Sequence, residues 1–335
     1  MRKEVIVAVV AGSLLGLTIA FGIWRANHAL SPNNNSQDPT PTPSQNQING
    51  LTIAKPDDFE VLTQTSTMIS GITSLNFLVV VSAEEQDYFV NPLEDGSFEA
   101  EVELIGGSNQ VVIATFDTKG NQVEKRLNLA LSTEFAKIVS SPTTTPEEEQ
   151  EATDSVREKV QEKVSAARSS PKFVLGSITD KQETTLEVKT QKGEIEQVSA
   201  SDENTTFIKM DKTKKEIKYA DVAIGDFVLA MGFKNGNSVM DSRRILIISP
   251  LEPTTRRVVM GTITNVQKAQ VTIEALIGGE KLTISNSKNL TVLADSKEKV
   301  EEINFSELEV DQKAVVVGET DEGKFVARTI RVLPQ

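Results

Sequence analysis

The feature that most restricts the fold is an internal repeat in the C-terminal half of the chain. Three blocks occur twice in the same order, each shifted by 85 or 86 residues: VLGSIT at 174–179 with VMGTIT at 259–264, the apolar run 222–232 with 308–318, and SRRI at 242–245 with ARTI at 327–330. Similarity at one fixed spacing indicates a duplicated domain. We therefore expect two copies of one fold in this half.

Each copy contains short apolar runs that are separated by polar turns. Alternating strands such as 185–190 and 270–274 follow an opening Gly-x-Ile strand, and a polar connection precedes the apolar run that ends at Gly232 or Gly318. Six short strands in about 80 residues suit a small closed barrel, because closure removes exposed sheet edges. The repeat therefore predicts two tandem β-barrels.

This layout resembles an uncharacterised bacterial family of small OB-like barrels, which usually occur in tandem on exported proteins. The dipeptide GD at 225–226 fits a block of that family, whereas the second copy has DQ at 311–312. Since a turn is expected there, the difference concerns turn geometry more than function. The resemblance implies OB-like barrels at 173–250 and 251–335.

Residues 50–132 show the two-residue period of β-strands, for example at Phe98, Ala100 and Val102, which alternate with glutamates. Turn signals such as Asp-Gly at 95–96 separate the runs. About seven strands in about 80 residues are typical of a β-sandwich. The candidate strands are 60–62, 68–72, 76–82, 88–92, 97–104, 109–117 and 122–131.

The sequence DGSFEAEVELIGGSNQVVIATFDTKGN at 95–121 is similar to the second half of bacterial immunoglobulin-like domains, of the kind found beside the catalytic domain of glucodextranase. Gly71, two residues after Ile69, fits the same pattern. The resemblance implies an Ig-like β-sandwich at 50–132. It brings no catalytic residue, because the family serves as a spacer, adhesion or accessory module.

Residues 5–24, VIVAVVAGSLLGLTIAFGIW, contain no charge. A helix of this length spans roughly 30 Å, the thickness of the bilayer hydrocarbon. The basic flank before it and Trp24 at its end predict a single-pass helix in the cell membrane, with 1–4 in the cytoplasm and 25–335 extracytoplasmic. A cleaved signal peptide and a buried soluble helix are the alternatives.

Two segments have the composition of linkers. Residues 25–49 are rich in Pro, Asn, Ser and Thr and predict a disordered stalk. Residues 133–172 predict a second linker with a charged helix at 146–168, which begins at an N-cap Thr145 followed by Pro146 and acidic residues. The apolar stripe of this helix is thin, so a spacer helix competes with packing on a neighbouring domain and with a weak oligomer seam.

The residues that most catalytic and metal sites need are missing from the body of the chain. The sequence has no cysteine, and its only histidine, His28, lies just after the hydrophobic segment. Thiolate metal sites, multi-histidine metal centres and a Ser-His-Asp triad are therefore excluded, and we predict no cofactor and no enzyme activity. A two-carboxylate glycosidase remains the enzymatic alternative. The net charge of −13 argues against a nucleic-acid partner.

A few residues are candidates for binding, although the ligand and the binding residues stay unknown at this stage. Glu99, Glu101 and Glu103 share one strand face, which is either solvated or calcium-binding. Tyr88 and Tyr219 are the tyrosines that could stack on sugars. The basic residues of the first repeat, predicted as solvated faces or interdomain contacts, are Lys212, Lys214, Lys215, Lys218, Arg243 and Arg244.

The sequence as a whole predicts a mainly β fold class: a transmembrane helix, an Ig-like sandwich, a spacer helix and two OB-like barrels. The function expected from it is a non-catalytic interaction, adhesion or structural role at the cell envelope, with an unknown envelope protein or glycan as partner. The alternative is a carbohydrate- or cell-wall-binding accessory protein.

Overall fold

Short β-strands dominate the structure because runs of β-branched and aromatic residues are bounded by Gly, Asp and Asn turns. A computed structural model describes residues 50–75, 77–139, 170–211, 213–235, 237–296, 299–321 and 323–334. These ranges contain twenty-two strands, one α-helix of seven residues and two 3-10 helices of three residues. The described structure is therefore nearly all β.

The first eight strands form what we call the N-terminal module. They are β1 (Leu51–Lys55), β2 (Glu60–Leu62), β3 (Ser66–Thr73), β4 (Leu78–Ser82), β5 (Asp87–Val90), β6 (Ser97–Glu103), β7 (Gly107–Phe116) and β8 (Gln122–Leu131). One sheet has the order β1-β3-β6, and a second group has the order β2-β8-β7-β4-β5 with β2 parallel to β8. Alternate side chains such as Ile69, Val79, Phe98 and Ile113 fill the core between them.

The next seven strands form the first repeat. They are β9 (Lys172–Lys181), β10 (Thr185–Thr190), β11 (Ile195–Ser199), β12 (Thr206–Met210), β13 (Lys214–Ile217), β14 (Phe227–Lys234) and β15 (Met240–Ile248). Five of them close into a ring in the order β9-β10-β11-β15-β14 and back to β9, with β11 parallel to β15. The hairpin β12-β13 extends β15.

The last seven strands form the second repeat. They are β16 (Arg256–Val266), β17 (Gln270–Ala275), β18 (Lys281–Ser285), β19 (Thr291–Ser296), β20 (Lys299–Glu302), β21 (Lys313–Asp321) and β22 (Lys324–Val332). Their order, β18-β17-β16-β21-β22-β19-β20, reproduces the neighbours found in the first repeat. No ladder between β18 and β22 is present among the described residues, although the two strands lie close together where the first ring closes.

Each repeat has seven strands where the sequence predicts six. The additional strands, β13 and β20, lie in the stretch predicted as a polar connection. Their sequences KKEI and KVEE are almost wholly exposed. An edge strand without a buried face has no apolar period, so the sequence pattern could not reveal it.

The turn that differs between the copies keeps one geometry. Gly225 has φ of 95° and Asp311 has φ of 71°. Each donates its backbone N–H to the same place in its repeat, Gly225 to the Ile178 carbonyl at 2.8 Å and Asp311 to the Ile263 carbonyl at 2.9 Å. Asp is among the few residues that tolerate this left-handed conformation, so the substitution preserves the turn.

The predicted fold class, with its N-terminal transmembrane helix, needs correction. No helix among the described residues is long and apolar enough to cross a membrane. The α-helix there, α1 (Thr133–Val139), has seven residues, whereas a span needs about 20. The predicted span 5–24 lies outside the described residues. The described part of the chain is nearly all β, and we withdraw the single-pass cell-membrane location.

Two further predicted segments fall outside the described residues, namely the stalk 25–49 and the charged helix 146–168. The described part of the predicted linker 133–172 contains α1 at its start and the first residue of β9, Lys172, at its end. The described residues all belong to one compact unit.

Candidate binding surfaces

The second repeat packs on the outer face of the sheet that contains β4 and β7, and we call this contact the second junction. The buried side chains are Leu78, Val80, Val112, Ala114 and Phe116 from the N-terminal module and Val258, Met260, Val315, Val317 and Leu333 from the second repeat. All five residues of β4, LVVVS, are buried because this strand has a core on both faces. An unbroken apolar run is the sequence signal of such a strand.

Arg256 crosses the second junction with only 1% of its surface exposed. Its guanidinium donates to the Ser82 carbonyl at 3.2 Å and to the Gln110 carbonyl at 2.6 Å. It also forms ion pairs with Glu84 at 2.9 Å and with Glu319 at 3.5 Å. A buried arginine with several partners on another module fixes the orientation of the two modules.

Arg328 is a second cation at the same junction. It is paired with Asp87, whose side chain is 1% exposed. Its guanidinium also donates to the Ala83 carbonyl at 2.9 Å and the Glu84 carbonyl at 2.8 Å, and to the Ser82 hydroxyl at 3.0 Å. The two arginines thus satisfy the backbone of one short segment, the end of β4 and the residues that follow.

The first repeat meets the N-terminal module at the edge formed by β2, and we call this contact the first junction. Its buried side chains are Val61, Ala130, Phe135, Phe173, Leu175, Ile208, Phe227, Leu229, Met231 and Leu246. The two backbones also bond, because the N–H of Phe173 donates to the Phe59 carbonyl at 2.9 Å. An ion pair joins Lys172 to Asp57 at 2.9 Å.

Helix α1 adds a charged cluster to the first junction. Glu134 of this helix pairs with both Lys214 and Arg244 of the first repeat. The hydrogen bond from Lys214, together with the charge of Arg244, holds the pKa of Glu134 below its ordinary value. The Arg244 side chain is 8% exposed, and its Nε has no hydrogen-bond partner among the described residues.

The two repeats use the same outward face for these two contacts. With the offset of 85 or 86 residues, four positions in β9 and β14 correspond to four positions in β16 and β21. The pairs are Phe173 with Val258, Leu175 with Met260, Leu229 with Val315, and Met231 with Val317. Duplication therefore gave each copy an apolar outer face, and each face is buried at a different place on the N-terminal module.

The outer face of the sheet β1-β3-β6 carries the acidic residues that the sequence singled out. Glu99, Glu101 and Glu103 are exposed on β6, and Met68 and Ile72 are exposed beside them on β3. No group of three or more acidic or histidine side chains in the described ranges is arranged to hold a metal ion. The three glutamates form an exposed acidic face.

The two tyrosines have different environments. Tyr88 is partly exposed in a polar groove of about 560 Å³ beside Glu101 and Glu103, and its hydroxyl accepts the N–H of Glu103 at 2.9 Å. Tyr219 is buried against Phe207 in the core of the first repeat. Burial raises the pKa of Tyr219 above its ordinary value. Only Tyr88 presents surface to a ligand.

The predicted basic cluster does not form one patch. Lys214 and Arg244 meet at Glu134, so the interdomain alternative holds for both. Arg243 pairs with Asp241 on its own strand at 2.9 Å. Lys215 and Lys218 are exposed, and Lys212 lies outside the described residues. Sequence reasoning missed Arg256 and Arg328, because arginines on strands are mostly exposed.

No protein-family model matches the chain, and no curated protein matches it. Among solved structures, it is similar to a multidomain protein with nucleic-acid binding domains from Streptococcus pneumoniae, at 13% identity and a TM-score of 0.14. That match covers 49% of this chain and 45% of the other, so this chain spans less than half of that protein's length.

Two bacterial adhesin structures are also similar to the chain. One is a structure of a bacterial ice-binding adhesin that is described in terms of its retention at the host cell surface. It is 14% identical, the match covers 84% of this chain and 95% of the other, and the TM-score is 0.19. The second is the calcium-stabilised adhesin with which an Antarctic bacterium binds ice, with 12% identity, 85% and 74% covered, and a TM-score of 0.18. With TM-scores below 0.5, these likenesses carry no argument about function.

Proposed function

We propose that the chain is a non-catalytic interaction protein with an adhesion or structural role, in which three β-modules act as one fixed body. The observation that carries this proposal is the pair of junctions. Each junction buries an apolar cluster, and the second also buries Arg256 and the carboxylate of Asp87. Large apolar interfaces hold domains in place, whereas small polar ones permit relative motion.

The module types belong to the same proposal. The pairing β1-β3-β6 against β2-β8-β7-β4-β5 supports an Ig-like sandwich at 50–132. The ring β9-β10-β11-β15-β14 supports an OB-like barrel at 173–250, and the matching neighbours in the second repeat support another at 251–335. Such modules commonly serve as interaction scaffolds, and fold alone assigns no ligand.

The accessory role in carbohydrate binding is a second candidate, which the groove beside Tyr88 favours. Polar side chains around one aromatic ring are a common arrangement for binding sugars. Tyr219, the other candidate for stacking, is buried and therefore does not contribute. The absence of a nucleic-acid partner stays a prediction from charge.

Beads coated with the full chain test both candidates under flow. We expect saturable retention on surfaces that carry a panel of proteins, competed by soluble chain and unchanged by Tyr88→Ala. Retention on purified cell wall or insoluble glycans that Tyr88→Ala abolishes would instead establish the carbohydrate role. Absence of retention on every surface would contradict an adhesion role.

A further inference from the structure

A groove of about 540 Å³ lies at the first junction, between the loop before β7, helix α1 and the outer face of the first repeat. Its apolar wall includes Ile105, Leu131, Met210, Leu246, Ile248 and Leu251. Two of these side chains are exposed in it, Ile105 at 38% and Met210 at 42%. The first junction therefore leaves part of the apolar face of the first repeat uncovered.

One corner of the groove is positively charged. Glu134, Lys214 and Arg244 are the charged residues that line it. The single carboxylate is shared by the two cations, so the corner keeps an excess of one positive charge. Arg244 is more than nine-tenths buried, and its Nε–H has no acceptor among the described residues. Because this Nε is itself closed off from solvent, an anion in the groove would balance the excess positive charge of the corner rather than bond to Nε.

We propose that this groove binds a small monoanionic amphiphile, whose apolar part lies against Leu246 and Ile248 and whose anionic group meets Arg244. The apolar wall provides the affinity that is independent of charge, and the corner selects for one negative group. This site lies at the first junction and adds a ligand to the proposed adhesion or structural role, which assigns none to this groove.

A matched pair of fluorescent probes tests the site on the full chain. Anilinonaphthalene sulfonate has an aromatic body and one sulfonate, and N-phenylnaphthylamine has the same rings without the charge. We expect the wild type to bind the sulfonate probe at one saturable site, more tightly than it binds the neutral probe. Arg244→Met should lower the affinity for the sulfonate by about tenfold or more, to the affinity for the neutral probe. Arg243→Met is the control, since Arg243 lies next in sequence but pairs with Asp241 and does not line the groove.

A second variant keeps the test decisive if Arg244→Met does not fold. Met210 is exposed in the groove wall, so Met210→Glu is expected to fold and to weaken both probes, by placing a charge on the apolar surface and opposing the anion. Equal sulfonate binding by the wild type, Arg244→Met and Met210→Glu would overturn the proposal. A further variant replaces residues 142–168 by a Gly/Ser linker of equal length. Sulfonate binding by this variant but not by the wild type would also overturn the proposal, because it would mean that the native segment, and not a ligand, occupies the groove.

Discussion

The two repeats have the same strand neighbours and offer the same outward face, yet they are attached to the N-terminal module in different ways. The first continues a sheet edge through β2 and β9, and the carboxylates of its ion pairs, Asp57 and Glu134, are both well exposed. The second lies flat on a sheet face and buries Arg256 and Asp87 inside the contact. The duplicated apolar face therefore does not by itself determine how each repeat docks. We infer that the polar groups around the face determine the docking geometry.

The largest expected effect comes from removing one aromatic anchor at each junction. Phe135 in the first junction and Phe116 in the second are both fully buried. Each Phe→Ala change should lower the free energy of unfolding by about 3–5 kcal/mol, through lost burial and a cavity. Urea unfolding of the two variants measures this. A loss below about 1 kcal/mol for either would mean that its junction does not contribute to stability.

Arg256→Met compares the polar parts of the junctions. It removes the donors to the Ser82 and Gln110 carbonyls and the cation beside Glu84, so we expect a loss of about 2–4 kcal/mol. The matched change at the first junction is Lys172→Met, which removes an ion pair with the exposed Asp57 and should cost less than about 1 kcal/mol. Urea titrations of the two variants measure this. Equal losses of unfolding free energy would contradict the proposed difference between a buried and an exposed polar contact.

A reciprocal exchange at the equivalent turns should produce a smaller effect. Gly225→Asp puts a Cβ on a left-handed residue, and Asp311→Gly removes one. We expect free-energy changes of opposite sign, each about 0.5–1 kcal/mol, with the second variant the more stable. Thermal unfolding of both variants compares the signs. Changes of the same sign would indicate that the Asp311 side chain has a role beyond the turn.

The smallest effect concerns pH at the first junction. The folded pKa of Glu134 is lowered, so its stabilising contribution is present above its ordinary pKa of 4.5 and is lost as the pH falls through the lowered folded value. Because Glu134 is partly exposed, the contribution should be below about 1 kcal/mol. Glu134→Gln should therefore be less stable than the wild type at neutral pH and equal to it in acid. A stability difference that persists in acid would point to packing rather than charge.

Particular residues show how far the sequence could be interpreted. The alternation of Phe98, Ala100 and Val102 indicated the strands of the N-terminal module, and the repeat predicted two copies of one fold, without their strand order. The junctions were missed because outward apolar residues such as Val80 and Met260 look like core residues of their own modules. The run LVVV in β4 was the available signal, since a strand with one solvated face would alternate. Strand β1 was also missed, because only Leu51 in it is buried.

The central claim is that three β-modules unfold as one body, and scanning calorimetry of the full chain tests it most directly. The account predicts one heat-absorption peak for these modules, with equal calorimetric and van't Hoff enthalpies, and Phe116→Ala and Phe135→Ala should each move the whole peak. Two or three separable peaks, with each variant moving only one of them, would contradict it and would make the modules independent domains on a string.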